Sequence, residues 1–310
     1  MIEDLFKTQK VFKLVCGAGN EDIKEIEKLV ALYSTAGCNI FDLSANLEVV
    51  RAAKRGLEFA GIHKNRYLCV SVGIKGDPHV SKAFINSNCI QCGACLDVCA
   101  QNAIKNFEID KTRCIGCSRC VNICTQNAIE KISHTKELKE VLPPIIDEGI
   151  DCIELHACGE DDEEVFSKWN EICVLFNGLK SVCIDRSKLS NAEVINRIKS
   201  LSTEKIIVQA DGYPMSGGHD DYKTTLQAIA MAEIIQNANL PVYLMLSGGT
   251  NSKTATLANM CDINYHGIAI GSFARKLVKD FIIRDDFLAN KEVFNSAVEI
   301  AKNLVNTVKG

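Results

Sequence analysis

The chain lacks several features, and each shortage removes a class of protein. No apolar run reaches the roughly 18 residues that a membrane-crossing helix needs, so no membrane partner is expected. The amino terminus, MIEDLFKTQK, has no apolar leader core. Neither sign of charge dominates. With 35 basic and 39 acidic residues the net charge is −4, which argues against nucleic acid or an anionic membrane surface as partner. The rest is ordinary for a globular protein, 47% hydrophobic and 24% charged, and 310 residues suffice for one large domain or two smaller ones. A cytoplasmic location is expected.

Cysteine, by contrast, is abundant at 16 residues. In a secreted chain this would predict disulfides; without a leader it points to metal and a reducing compartment. Eight of the sixteen fall into two copies of C-x2-C-x2-C-x3-C: Cys89, Cys92, Cys95, Cys99 and then Cys114, Cys117, Cys120, Cys124, each run closed by Q-N-A-I. A cubane iron–sulfur cluster needs four thiolates from different directions. Three cysteines two residues apart wrap three corners, and in two-cluster ferredoxins the fourth cysteine of each run serves the other cluster. The spacing therefore assigns Cys89, Cys92, Cys95 and Cys124 to one [4Fe–4S] cluster, and Cys114, Cys117, Cys120 and Cys99 to a second. A zinc site or a disulfide scaffold is the alternative, but zinc sites use paired C-x2-C knuckles rather than triplets. The proline that usually follows the fourth cysteine is Ala100 in one copy and Thr125 in the other, a departure that removes no ligand. The remaining eight cysteines lie mostly in apolar runs and are expected to pack as small hydrophobes.

Around this duplication, strand-like and helix-like segments alternate. Strands are expected at Val11–Ala18, Asn39–Ser44, Tyr67–Gly73, Cys152–Ala157, Lys180–Asp185, Lys205–Ala210, Val242–Ser247 and Gly267–Gly271. Helices are expected between them, including Thr135–Glu148, which Pro143 and Pro144 should kink. Eight βα units with near-continuous apolar strands predict a closed (β/α)8 TIM-like barrel; an open doubly wound sheet is the alternative. On the barrel reading, residues 1–83 and 132–310 form one discontinuous domain, and 84–131 is a 2[4Fe–4S] ferredoxin-like module inserted after the third strand. Loops after strand carboxyl ends line the active face, so the clusters would sit beside the barrel mouth.

The strand ends are polar: Cys16-Gly17, Asp42 and Ser44, Ser71 and Gly73, Glu154 and His156, Asp185, and Gln209 and Asp211. Ser247, Gly248, Gly249 and Thr250 follow the seventh strand, and Gly271 and Ser272 follow the eighth and open a helix. Barrel phosphate sites are often built from these two loops, so FMN or another phosphate ligand is a candidate there; plain tight turns are the alternative. The polar loop Asp211–Lys223 carries His219, a candidate acid/base group or an ordinary surface histidine. His156 beside Cys158 suggests a nucleophilic pair, for which the sequence offers no orienting third group.

FKLVCGAGNED, AGCNIFDLSANLEVVRAAKRGL, DGYPMSGGHDDYKTTLQAI, LMLSGGTNSKTATLANM and GIAIGSFARKL together resemble the light-dependent-period (LdpA) family, over nearly the whole chain. The resemblance implies [4Fe–4S] clusters on the eight cysteines named, and a role reporting cellular redox state to a circadian clock. Three functions follow as expectations: an electron carrier or redox sensor working with a redox partner protein or small electron donor; an oxidoreductase whose mouth binds a flavin or phosphorylated substrate; or clusters that merely staple a small insertion. The oligomeric state is left open.

Overall fold

A computed structural model describes residues 2–8, 10–17, 19–74, 80–133, 137–202, 204–212 and 219–309. Ala18, Thr135, Ser216, Gly217 and Gly218, which belong to segments predicted above, lie outside them.

Eight parallel strands close into a barrel: β1 (Val11–Val15), β2 (Ile40–Ser44), β3 (Tyr67–Gly73), β8 (Cys152–His156), β9 (Leu179–Ile184), β10 (Ile207–Asp211), β11 (Tyr243–Ser247) and β12 (Gly267–Ile270). The order around the barrel is β1-β12-β11-β10-β9-β8-β3-β2, so β1 lies opposite β9. The helices that return the chain are α2 (Ile23–Ala36), α3 (Leu47–Ala60), α6 (Leu138–Glu148), α7 (Asp162–Leu175), α8 (Asn191–Leu201), α9 (Tyr222–Asn237), α10 (Thr254–Met260) and α11 (Ser272–Ile282), with α12 (Lys291–Lys309) closing the ring. Their ends follow from local chemistry. Asp22 caps α2 by accepting from the amides of Lys24 and Glu25, and Gly37 ends it in the left-handed region. Ser190 and Glu193 form a reciprocal capping box at α8. α6 runs unbroken through Pro143 and Pro144.

Both faces of each strand are covered, one by the helices and one by the barrel interior, which explains the near-continuous apolar runs. The interior is layered. At its amino-terminal end lie Val11, Ile40, Cys69, Cys152 and Ile207, sealed from below by Ile2, Leu5 and Phe6 of a short leading helix, α1 (Ile2–Thr8). Phe6 stacks on Tyr243 with ring centroids 4.6 Å apart. Burying such a ring is worth about 1.5–3 kcal/mol, and this contact holds a helix too short to persist alone.

Between β3 and α6 the chain leaves the barrel. β4 (Ser81–Ile85) pairs antiparallel with β7 (Ile129–Ser133) and so brings the two ends of the excursion together. Between them lie α4 (Ala94–Val98), a minimal hairpin of β5 (Ile104–Lys105) and β6 (Glu108–Ile109), and α5 (Arg119–Ile123). The strand pair extends a few residues beyond 84–131 on each side. Among the described residues no helix is long and apolar enough to cross a membrane.

Candidate functional site

The duplicated cysteine runs fold as duplicated backbone. Left-handed φ values recur at equivalent positions of the two copies: Gln91 and Gly116, Gly93 and Ser118, Asn102 and Asn127. The short helices α4 and α5 are likewise equivalent. Non-glycine residues in this region are uncommon, so their recurrence marks a backbone bent to one purpose, turning thiols inward. Two groups of four result. The Cys95 thiol is pushed above its ordinary value by burial and by Cys89, Cys92 and Cys124, which lie within its electrostatic reach. The Cys120 thiol is pushed up to about 11 by burial and then by Cys117, Cys114 and Cys99. In each group the fourth cysteine comes from the other copy.

Main-chain amides are aimed at these sulfurs. Gln91 donates to Cys89 at 3.4 Å, Ala103 to Cys99 at 3.3 Å, Ala128 to Cys124 at 3.3 Å and Ala83 to Cys114 at 3.4 Å. Converging thiols with amide donors directed at them are the donor chemistry an iron–sulfur cluster takes. The two groups differ in exposure. Each holds one buried thiol, Cys95 or Cys114, but the first also holds an exposed one, Cys92. Cys99, Cys114, Cys117 and Cys120 line one wall of an 820 Å³ cavity whose other wall is α11, including Ser272, Arg275 and Lys279.

Charged contacts fasten the excursion to the carboxyl-terminal face of the barrel, beside β1 and β12. Lys82 donates to the carbonyls of Gly19 and, at 2.8 Å, Cys114. Arg113 pairs with Asp22 and, at 2.7 Å, with Glu25. Asp22 thus serves two elements, capping α2 with one oxygen and holding Arg113 with the other. Arg275 donates from Nη1 to Gln101 at 2.8 Å; its Nε, fully buried, has no hydrogen-bond partner among the described residues.

Inside the barrel, above the apolar floor, lies a charged layer that sequence reading missed in part. Lys13 of β1 is buried and meets Asp42 at 3.1 Å and Glu154 at 2.6 Å. Burial works against its charge, but Asp42, Cys69 and Glu154 outweigh it, so its pKa stands well above the ordinary value. Ser181 donates to Glu154 at 2.9 Å, Gln209 also donates to Glu154, and Ser71 donates to Asp42. The predicted strand-end residues Asp42, Ser71, Glu154 and Gln209 therefore form a closed structural network. Lys13 carried no sequence signal beyond being a charge within an apolar strand.

One layer higher, the structure brings His156 and Cys158 together with Cys183 and Asp211, their ligand atoms all within 4.8 Å of one another. The Cys183 thiol donates to Asp211 at 3.2 Å, and Cys158 to Cys183 at 3.8 Å. Burial pushes the Asp211 carboxyl up, while His156 and the Cys183 thiol act against it. His219 is exposed, and its carbonyl accepts from Asn251 at 3.2 Å.

Of the six residues of the predicted phosphate site, Ser247 ends β11. Ser272 lines the cavity beside the cysteines. Gly248 and Gly249 have left-handed φ of 68° and 73° and pack where a Cβ would strike Asp211 and the Thr224 carbonyl respectively. Thr250 donates to the Ala269 carbonyl. Gly271 opens α11 with no side-chain cap. A second cavity, of 370 Å³, lies at the ends of β2 and β3 between Ser44, Ser71 and Gly73 and the excursion's Lys82 and Lys111.

Comparisons with known proteins bear on the fold and on the family. The barrel resembles a tryptophan synthase structure from Mycobacterium tuberculosis, with a TM-score of 0.54 at 9% identity over 100% of this chain and 98% of that one. It also resembles the YdjI aldolase from Escherichia coli K12, with a TM-score of 0.52 at 11% identity over 99% and 94%; at such identities the likeness is one of fold. The curated protein "Light dependent period A" of Synechococcus elongatus is 29% identical over 96% of this chain and 91% of its own length. Residues 86–135 match the model of the LdpA Fe-S cluster-binding domain. Residues 144–307, more than half of the chain, match that of the Light dependent period A C-terminal domain. The chain is an iron–sulfur protein and belongs to the Light dependent period A family.

Proposed function

We propose that residues 84–131 are a discrete ferredoxin-like module holding two [4Fe–4S] clusters, and that the protein is a cytoplasmic electron carrier or redox sensor. Cys89, Cys92, Cys95 and Cys124 hold the outer cluster; Cys114, Cys117, Cys120 and Cys99 hold the inner one. The observation that carries this reading is the sorting of eight thiols into two groups of four, each completed by a cysteine from the other copy. When bound, each cluster supplies a one-electron couple whose potential is set by hydrogen bonds to sulfur, nearby charge and exposure. The chain's own residues govern those factors. The amides of Gln91, Ala103, Ala128 and Ala83 donate to four of the eight sulfurs. Exposed Cys92 gives a redox partner protein or small electron donor access to the outer group. Arg275 and Lys82 hold the inner group against the barrel, so a change there is felt by the barrel face.

The 370 Å³ cavity favours a second reading, an oxidoreductase. It is of ligand size, opens among strand ends and is flanked by Lys82 and Lys111, a setting that suits FMN or a phosphorylated substrate. One preparation separates the two. Anaerobically purified protein that keeps flavin through desalting supports the oxidoreductase; iron–sulfur absorption alone supports the carrier or sensor. Iron content unchanged in both Cys92→Ala and Cys117→Ala overturns the ligand assignment.

A further inference from the structure

The geometry points to a further metal centre, separate from the iron–sulfur cysteines: a mononuclear zinc site made by His156, Cys158, Cys183 and Asp211 at the barrel mouth. Three neighbouring strands build it. His156 ends β8, Cys158 follows two residues on, Cys183 lies on β9 in register with His156, and Asp211 ends β10. Strand ends are the rigid part of a barrel's active face, and ligands set there are held without help from mobile loops.

The donor set is two sulfurs, one imidazole and one carboxylate. Zinc takes these in a tetrahedron, with bonds of about 2.3 Å to sulfur and about 2.0–2.2 Å to nitrogen or oxygen. Two such sulfur bonds at the tetrahedral angle span about 3.8 Å, and Cys158 and Cys183 stand 3.8 Å apart. The longest spacing among the four ligand atoms is bounded at 4.8 Å, so closure needs a contraction of no more than about 1.4 Å on any edge. Thiolate and imidazole together select zinc over magnesium or calcium, which require oxygen cages. Supporting contacts are present. A Cβ at position 248 would fall on the Asp211 carboxylate, so Gly248 is what leaves that ligand its place. Asp185 accepts from the amide of Gly159 at 3.0 Å and so fixes the loop that carries Cys158. Cys183 is buried and the other three ligands are half-buried, a closed floor with an open side toward the mouth. The site is on β8–β10, across the barrel from the β1 and β12 side where the cysteine module is fastened.

The test uses full-length, anaerobically purified protein with its iron complement intact. One equivalent of zinc is added and the protein is desalted. Iron and zinc are then counted, and the zinc environment is read at the zinc absorption edge, where iron does not interfere. The expected result is about one zinc per chain, bound by two sulfurs and two nitrogen or oxygen atoms. Cys158→Ser/Cys183→Ser should lose zinc affinity by more than about 100-fold, the upper end of what loss of an outer-shell partner costs, with iron unchanged. If that variant does not fold, His156→Ala, which keeps both thiols, must weaken zinc in the same direction. No zinc retained, a four-sulfur environment, equal uptake by the variants, or a Cys158–Cys183 disulfide in the anaerobic protein would each overturn the site.

Discussion

Lys82, on the strand that leads out of the barrel, donates its ammonium to the main-chain carbonyl of Cys114 at 2.8 Å. The same ammonium reaches the Gly19 carbonyl on the loop between β1 and α2. One nearly buried cation thus ties the inner cysteine group to the barrel. Hydrogen bonds to a charged group contribute about 1.5–3 kcal/mol each. Lys82→Met should therefore lower stability by at least about 2 kcal/mol and release iron from the inner group first. Following iron–sulfur absorbance and circular dichroism together during thermal unfolding checks this; the two should coincide in the wild type and separate in the variant.

Lys13 makes the corresponding prediction for the barrel. Removing it leaves Asp42 and Glu154 buried without their cation, a loss of about 3–5 kcal/mol. Lys13→Met/Glu154→Gln should recover part of that, since it withdraws a carboxylate as well. The pH dependence has a definite sign. The folded pKa of Lys13 lies above the ordinary 10.5, so its stabilisation is complete below pH 10.5 and is lost as pH rises through the higher folded value. Urea midpoints of the wild type and Lys13→Met, taken at neutral pH and again well above pH 10.5, should converge at the alkaline end.

Arg275 places a buried guanidinium within electrostatic reach of Cys117. A positive charge near a cluster favours its reduced form. Arg275→Met should lower the potential of the inner couple by on the order of 50 mV, about a tenfold change for a one-electron step, and leave the outer couple in place. Arg275→Lys should restore most of it. A potentiometric titration that resolves the two couples makes the comparison.

How much of this could be read from sequence depends on the range of the interaction responsible. The cysteine spacing is a local requirement of a cluster, so the duplicated cysteine pattern was legible, and its repeat reappears as paired left-handed residues such as Asn102 and Asn127. The strands were legible because covering both faces demands continuous apolar runs. Within such a run the alternation that would tell the two faces apart is lost, and Lys13 gave no sign of pointing inward. α1 was missed because seven residues make no amphipathic signal; only the barrel floor gives Phe6 a place to go. Cys183 and Asp211 could not be joined to His156 and Cys158 without the strand register that aligns β8, β9 and β10.

Two clusters on exchanged ligands can be tested by an anaerobic electron paramagnetic resonance titration with iron and sulfide counting, run on the wild type, Cys92→Ala and Cys117→Ala. The expected result is about eight irons per wild-type chain and two interacting reduced centres, with each variant losing one centre and half the iron. A single centre in the wild type, or iron unchanged in both variants, would contradict it.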